Sequence, residues 1–335
     1  MKVALCAIAK NEDKYVDFWA EHYLSRGIDH ITIYDNNDER DLICKYDNVK
    51  IIDVHKKVAP QLATYEEFYK QNKDNYDWLL YCDLDEFIDC KDIKKFLSSI
   101  PRKINQVQIK ILNMSDSGNL YADYSVSPFK RFTKPAHFQW HIVKSFIRAN
   151  ADNVVFKSPH YFIEDFSNTI FANGKPVRAD LKYRFRKGED YKKSDYDKNE
   201  VIMHHCDMKT IEEYIAYKFN RSDVLHADIN TLPKNIPDRC FFRHNEKTRA
   251  KLEILSQAPY NGLTDIVLDS IKDYDESMLS KYRVVYIKGN GEDVSKRVKY
   301  LNGQDPIDVL DLAEFYIENN VNKRKSIEQL QAYFK

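Results

Sequence analysis

The chain has 335 residues, balances 52 Lys and Arg against 52 Asp and Glu, and is 43% hydrophobic and 13% aromatic. That is the composition of a folded globule of one or two domains, and zero net charge offers no globally basic surface, so no nucleic acid is expected as a partner. Only 8 glycines are present, which argues against glycine-rich phosphate loops, and no run of about 18 apolar residues is available to cross a bilayer.

In chain order, Val3–Ile8 predicts a strand, and the apolar run through Ala9 is too short for a secretory signal before Lys10-Asn11-Glu12. Tyr15–Ser25 predicts a helix with apolar positions at Val16, Trp19, Ala20 and Tyr23, ended by Gly27 in a left-handed cap. His30–Tyr34 and Val49–Val54 predict strands, separated by the turn cluster Asp35-Asn36-Asn37-Asp38, and Leu62–Asn72 predicts a helix. Trp78–Cys82 is apolar on both faces, as a central strand of an α/β sheet should be. This alternation implies a parallel sheet with right-handed crossovers, lacking the Gly-x-Gly-x-x-Gly of a dinucleotide fold.

Further strands are expected at Gln106–Leu112, Ile142–Arg148, Val154–Phe156 and Val201–His204, with a charged excursion over Lys182–Asn199. Thr210 and Glu213 form a capping box ahead of a helical pattern at Ile211, Tyr214, Ile215 and Phe219. From about 247 the chain reads as mostly helical, with Val284–Lys288 as a strand candidate. The six cysteines, Cys6, Cys44, Cys82, Cys90, Cys206 and Cys240, include no Cys-x-x-Cys pair. They read as free thiols of a reducing, cytoplasmic compartment.

The central strand runs into Asp83-Leu84-Asp85-Glu86. Alternation along an extended chain would point Asp83 and Asp85 to one side, where two carboxylates repel unless a cation lies between them. Hard oxygen ligands of this kind suit Mg²⁺ or Mn²⁺, and the carboxyl end of a central strand is where open α/β sheets bind ligands. The competing reading is a solvated acidic turn. Asp35 ends the second strand, where a carboxylate accepts from a ribose hydroxyl or a base N–H, or else closes an Asx turn. His205, or its neighbour His204, is the candidate imidazole ligand.

Several landmarks stand in order: Cys6-Ala7-Ile8-Ala9-Lys10-Asn11-Glu12, Phe18–Gly27, Ile33-Tyr34-Asp35-Asn36, Trp78–Ile88, Ser115-Asp116-Ser117-Gly118, Lys144-Ser145-Phe146, Pro159-His160, and His205-Cys206-Asp207-Met208-Lys209-Thr210. Over roughly residues 1–225 they resemble the family-2-like glycosyltransferases of the GT-A fold, in particular the glycosyltransferase family 92 type, with Cys206 standing where that pattern carries Tyr. The resemblance implies a GT-A, Rossmann-like α/β domain over 1–225. The mostly helical region 226–335 lies outside the resemblance and is a candidate acceptor- or partner-binding extension.

It also implies metal-dependent, inverting transfer from a nucleotide-sugar donor, a UDP-sugar first, to a glycan or lipid-linked acceptor, as in surface polysaccharide synthesis. Ala9, Asn11, Glu12, Asp35, Asp83, Lys144, His160 and Lys209 would then meet the donor, and Asp83, Asp85 and His205 would hold Mn²⁺ or Mg²⁺. Inversion needs a general base for the acceptor hydroxyl. The candidates are Asp116 first, then Glu164 and Asp165, while Trp140 and Tyr121 could stack on sugar faces. The basic cluster Lys323-Arg324-Lys325 offers either a patch for peripheral association with the inner face of a membrane or, as short basic runs usually are, a solvated stretch.

Two other classes compete. A haloacid-dehalogenase-type phosphohydrolase also sets Asp-x-Asp after an apolar strand, but it wants Thr or Val where Phe87 stands. A catalytically silent carbohydrate-binding protein would keep the fold without turnover.

Overall fold

The computed structural model describes residues 1–37, 41–55, 57, 60–119, 122–136, 139, 142–177, 200–207, 209–210 and 213, and the strands within 264–268 and 282–287. The helix expected after Thr210, the charged stretch 182–199, Trp140, Tyr121, Cys240, the basic cluster 323–325 and the remaining part of 226–335 lie outside the described residues.

The elements run β1 (Val3–Ala9), α1 (Val16–Leu24), β2 (His30–Asp35), β3 (Val49–Asp53), α2 (Gln61–Asn72), β4 (Trp78–Tyr81), β5 (Glu86–Asp89), α3 (Ile93–Ser98), β6 (Gln106–Asn113), α4 (Pro128–Arg131), β7 (Val143–Arg148), β8 (Thr169–Phe171), β9 (Ile202–His205), β10 (Thr264–Leu268) and β11 (Tyr282–Ile287). The expected strands and helices fall on these within a residue or two, except Val154–Phe156, where only Val154 makes an isolated bridge, to Ile163. Gly27 takes the left-handed conformation, φ +102°. β5, α3, α4, β8 and β10 are additions, β10 being a strand within the region read as mostly helical. They are short, and β5 and β8 are defined by partners distant in sequence rather than by their own pattern.

The chain divides into two compact units: Met1–Met114, Ser127–Lys130 and Phe138–Asp207 form one; Ser115–Val126, Arg131–His137 and Met208–Lys335 form the other. In the first, the described strands build a nine-stranded sheet of order β3-β2-β1-β4-β7-β6-β9-β5, with β8 on β6. The half β3-β2-β1-β4 is parallel. β7 then enters antiparallel against β4, and β6 antiparallel against β7. The α/β, Rossmann-like sheet is therefore present. Chain order reverses on either side of β1, since β2 and β3 build outward one way and β4 the other.

Both faces of that half are covered, which explains its continuous apolar runs. On one face Ala4, Cys6, Leu79 and Tyr81 pack with Tyr65 and Phe68 of α2 and with Phe162. On the other, α1 buries Val16, Trp19, Ala20, His22 and Tyr23. The indole of Trp19 and the hydroxyl of Tyr23 both donate to the carbonyl of Glu86, each at 3.0 Å, which ties α1 to the start of β5. Among the described residues no helix is long and apolar enough to cross a membrane.

In the second unit the expected capping box is formed. Thr210 N–H donates to Glu213 Oε2 at 3.0 Å, and Glu213 N–H donates to Thr210 Oγ1 at 3.2 Å. The same Glu213 carboxylate accepts from Arg131 Nη2 at 2.7 Å. Of the region beyond 225, the described part is β10 and β11, paired in parallel with an irregularity at Ile266/Val267.

His22 Nε2 sits 2.9 Å from the Ile88 carbonyl, and burial pushes its pKa down to about 3 from the ordinary 6.5. The unfolded chain takes up this proton first, so stability is full above about pH 6.5 and falls as pH drops toward 3. Between pH 7 and pH 5 this one group removes on the order of 2 kcal/mol. Urea unfolding at the two pH values will show that loss, and His22→Gln, which keeps a donor but cannot titrate, will reduce it by about that amount.

Candidate functional site

Loops leave the carboxyl ends of β1, β2 and β4 at the switch point of the sheet, the place where α/β folds take ligands. The β1 and β2 loops are stitched together. Asn36 N–H donates to the Ala9 carbonyl at 2.9 Å, and Asn11 N–H to Asn37 Oδ1 at 2.7 Å. Asn11 has φ +59°, a left-handed conformation uncommon outside glycine and tolerated best by asparagine. Glu12 is buried, and its carbonyl accepts from Tyr15 N–H at 2.9 Å just before α1.

Asp35 does close its turn. One carboxylate oxygen accepts from Asn37 N–H at 3.0 Å, and the other from Leu42 N–H at 2.6 Å and His55 Nε2 at 3.0 Å. That bond holds the His55 imidazole above its usual range. With the exposed Asp41, these residues offer a metal three ligand atoms within 4.8 Å of one another, the one such group among the described residues.

After β4 the chain does not continue extended. Asp83 and Glu86 close a tight turn over Leu84 and Asp85, with Glu86 N–H donating to the Asp83 carbonyl at 3.1 Å. Glu86 folds its carboxylate back onto Asp83 N–H at 2.9 Å. Strand alternation therefore does not govern Asp83 and Asp85, and they have different partners. Asp83 Oδ2 takes Lys144 Nζ at 2.8 Å, while Oδ1 takes Gln61 Nε2 at 2.9 Å. Asp85 Oδ1 lies 3.4 Å from His205 Nε2. Asp85 is pinned by its backbone, whose carbonyl accepts from Cys206 N–H at 2.8 Å.

Lys144 reaches this point because β7 is antiparallel to β4. The register Leu80↔Phe146, continued, sets Lys144 opposite Cys82. The side chain is 1% exposed and also lies 3.1 Å from Glu86 Oε2. Burial disfavours its charge, but Asp83 and Glu86 hold it above the usual lysine range. Burial pushes Glu86 up to about 7, with Lys144 pulling it back and Asp83 and Asp85 adding to the rise. Burial would also lower His205, yet Asp207 and Asp85 outweigh it and hold the imidazole near 9. His160, whose Nδ1 is 3.0 Å from the Val143 carbonyl, is pushed down to about 4 by burial and by the neighbouring Lys144. It is neutral at physiological pH.

Of the sequence-derived candidates, Asp83, Asp85, Lys144, His205 and His160 thus converge, and Ala9, Asn11, Glu12 and Asp35 line the neighbouring loops. His204 points elsewhere, with Nε2 3.8 Å from Asp89 Oδ2. Glu164 pairs with Lys157 at 3.1 Å on the surface. Asp165 caps a short 3-10 turn through Ser167 N–H at 3.0 Å, which holds its carboxyl below the usual range. Asp116 and Lys209 belong to the second unit and are both buried. Asp116 Oδ1 accepts from Gly118 N–H at 2.8 Å in an Asx turn, and Lys209 has φ +55°. Sequence reasoning missed Glu86, Gln61 and Asn113. The available signal was Lys144 itself, a lysine inside the apolar run Val143–Ile147, which needs a buried counter-charge.

A divalent cation fits the donor set. Asp83, Asp85 and Asp207, with Glu86 pushed up to about 7 beside them, face the cationic Lys144 and His205. Asp85 and His205 offer one oxygen and one nitrogen at 3.4 Å, near the roughly 3 Å between neighbouring ligands on an ion with bonds of about 2.1 Å. Asp83 stands apart from that pair, its carboxylate engaged by Lys144 and Gln61.

No family model and no curated protein matches the chain. Among solved structures, S. aureus TarS 1-349 is 14% identical over 44% of this chain and 47% of its own, with a TM-score of 0.28. The bifunctional IspDF from Campylobacter jejuni is 9% identical over 48% of this chain and 46% of its own, at 0.27. A CMP:2-keto-3-deoxy-manno-octonic acid synthetase complexed with CTP is 11% identical over 45% of this chain and 75% of its own, also at 0.27. The chain spans about half the length of the first two of these.

Removing Lys144 leaves the buried Glu86 and the half-buried Asp83 as close like charges. Lys144→Met will destabilise the protein by about 3–5 kcal/mol in chemical denaturation. Adding Glu86→Gln will recover at least about 1 kcal/mol of that, since the second change removes the repulsion the first created. Strict additivity of the two would show that the groups are not coupled.

Proposed function

We propose that this chain is a metal-dependent, inverting glycosyltransferase of GT-A type, nearest the family 92 kind, using a nucleotide-sugar donor and a glycan or lipid-linked acceptor. The observation that carries this is the Asp85–His205 pair beside the Asp83–Lys144–Glu86 cluster at the switch point of the sheet. A nucleoside diphosphate leaves with concentrated negative charge, and catalysis requires that charge to be met in the transition state. Asp85 and His205 would hold Mn²⁺ or Mg²⁺, which supplies that stabilisation as a Lewis acid.

The chain's own residues do the rest. Asp83 is oriented by Lys144 and Gln61, with its carboxylate at the mouth of the β4 turn, 33% exposed. It would receive hydroxyl groups of the donor. The stitched loops around Ala9, Asn11, Glu12 and Asp35 would take the base and ribose, and neutral His160 would line the donor path; the sequence resemblance adds Lys209 to the donor residues. Asp116 would act as general base. It takes the acceptor hydroxyl proton as that oxygen attacks the anomeric carbon from the face opposite the departing diphosphate. Glu164 and Asp165, already engaged at the surface, rank behind it. A haloacid-dehalogenase reading fits less well, because an in-line nucleophile is poorly served by a carboxylate tied to both Lys144 and Gln61.

Calorimetric titration of UDP into the protein will show binding that requires Mn²⁺ and is abolished by EDTA and by Asp85→Asn. Binding indifferent to both would remove the metal from the reading, and no binding of any nucleoside diphosphate would remove the transferase. With a donor identified, Asp116→Asn, which can keep the Asx turn, will lower turnover about 10²–10⁴-fold and leave UDP affinity unchanged. Loss of both together would assign Asp116 to the fold instead.

A further inference from the structure

The parallel register of β6 and β9 sets Asn113 beside His205. Asn113 is fully buried, and its main chain is held without help from its side chain: N–H donates to Gln139 Oε1 at 2.8 Å and the carbonyl accepts from Gln139 Nε2 at 2.9 Å. The side-chain amide has a different occupation. Its Oδ1 lies 3.3 Å from His205 Nδ1, and its Nδ2 has no partner among the described residues. An orphaned buried donor costs about 1–3 kcal/mol, which a leucine of similar volume would avoid. The amide is therefore a poor choice for packing alone, and its one bond among the described residues is to the imidazole.

His205 has ring nitrogens with separate duties. Nδ1 faces Asn113, and Nε2 faces Asp85 at 3.4 Å. An imidazole that binds a metal through one nitrogen almost always donates its other N–H to a fixed acceptor, which sets both tautomer and ring angle. We propose that Asn113 is a positioning residue for His205: its Oδ1 accepts the Nδ1 proton, turns Nε2 toward Asp85, and so presents the nitrogen–oxygen pair to a divalent cation. Gln139 supports this at one remove by clamping the Asn113 backbone at the end of β6. The metal half of the inference rests on the transferase reading, whereas the orientation of the imidazole does not.

Histidine-¹⁵N NMR on the metal-free full chain reads the orientation directly. The expected result is a His205 Nδ1–H that is hydrogen-bonded to Asn113, the hydrogen bond kept in Asn113→Asp and lost in Asn113→Leu. A bare Nδ1 in the unaltered protein, or an unchanged Nδ1–H bond in Asn113→Leu, overturns the proposal. Mn²⁺ titration followed by electron paramagnetic resonance tests the consequence: Asn113→Leu weakens binding about 10–100-fold and Asn113→Asp restores it. Equal Mn²⁺ affinity in folded Asn113→Leu overturns that half. If the unaltered protein binds no Mn²⁺, the transferase reading loses its metal while the spectrum still decides the orientation. Should Asn113→Leu fail to fold, the spectra of the unaltered protein and of Asn113→Asp decide it.

Discussion

A lysine ammonium buried where β4 meets β7 is the constraint from which the rest of the first unit follows. Lys144 cannot reach water, so it must bring its own counter-charges, and Asp83 and Glu86 supply them at 2.8 and 3.1 Å. Meeting that demand requires the chain to turn immediately after β4, because only a turn returns the Glu86 carboxylate to the side of Asp83. The turn in turn starts β5, whose first carbonyl is gripped by Trp19 and Tyr23 of α1. A charge, a turn, a strand and a helix face are thus linked through Glu86, with each fixing the next. A buried ion triad of this kind is weak evidence for stability in itself. Its value here is geometric, since it fixes where Asp85 comes to rest.

That placement separates the acidic motif into two parts. Asp83 faces the lysine and the amide of Gln61, and Asp85 faces an imidazole. In a solvated acidic turn both carboxylates would be exposed and interchangeable. Instead Asp85 is 6% exposed and backbone-locked to Cys206, and His205 is held near pKa 9 by Asp207 and Asp85 in spite of burial. Desolvating carboxylates is unfavourable, and here Asp85 is buried beside an imidazole that Asp207 and Asp85 together keep charged.

Much of this was legible in sequence, for identifiable reasons. The parallel half could be read because its strands are apolar on both faces and its helices show helical spacing, so local pattern and tertiary burial agree. The capping box at Thr210 and Glu213 could be read because its two hydrogen bonds are local. Strand alternation failed at Asp83 and Asp85 because the turn there is dictated by Lys144, 61 residues away in sequence. Glu86 and Asn113 were invisible for the same reason: each acquires its role from a residue on a strand paired only in three dimensions. His205 could be singled out from the doublet His204-His205 only as a candidate, and the register of β9 between β5 and β6 decides which of the two faces Asp85.

The two sides of the switch point also differ in what a ligand would have to change. At the ends of β1 and β2 the backbone is already committed: Asp35 satisfies two backbone donors and His55, and Asn11 accepts a left-handed conformation to present its N–H to Asn37. A ligand arriving there finds rigid walls and would be selected by shape. At the end of β4 the groups are balanced against one another electrostatically, so a cation would be selected by charge and would compete with protons already present. For Asp83 that competition is unfavourable, because releasing it leaves Lys144 buried beside Glu86 alone. For Asp85 it is favourable, because what a cation displaces is a proton on His205 rather than a fixed lysine. Under the proposed reading a cation would therefore be directed to the second aspartate of the motif, leaving the first for orientation.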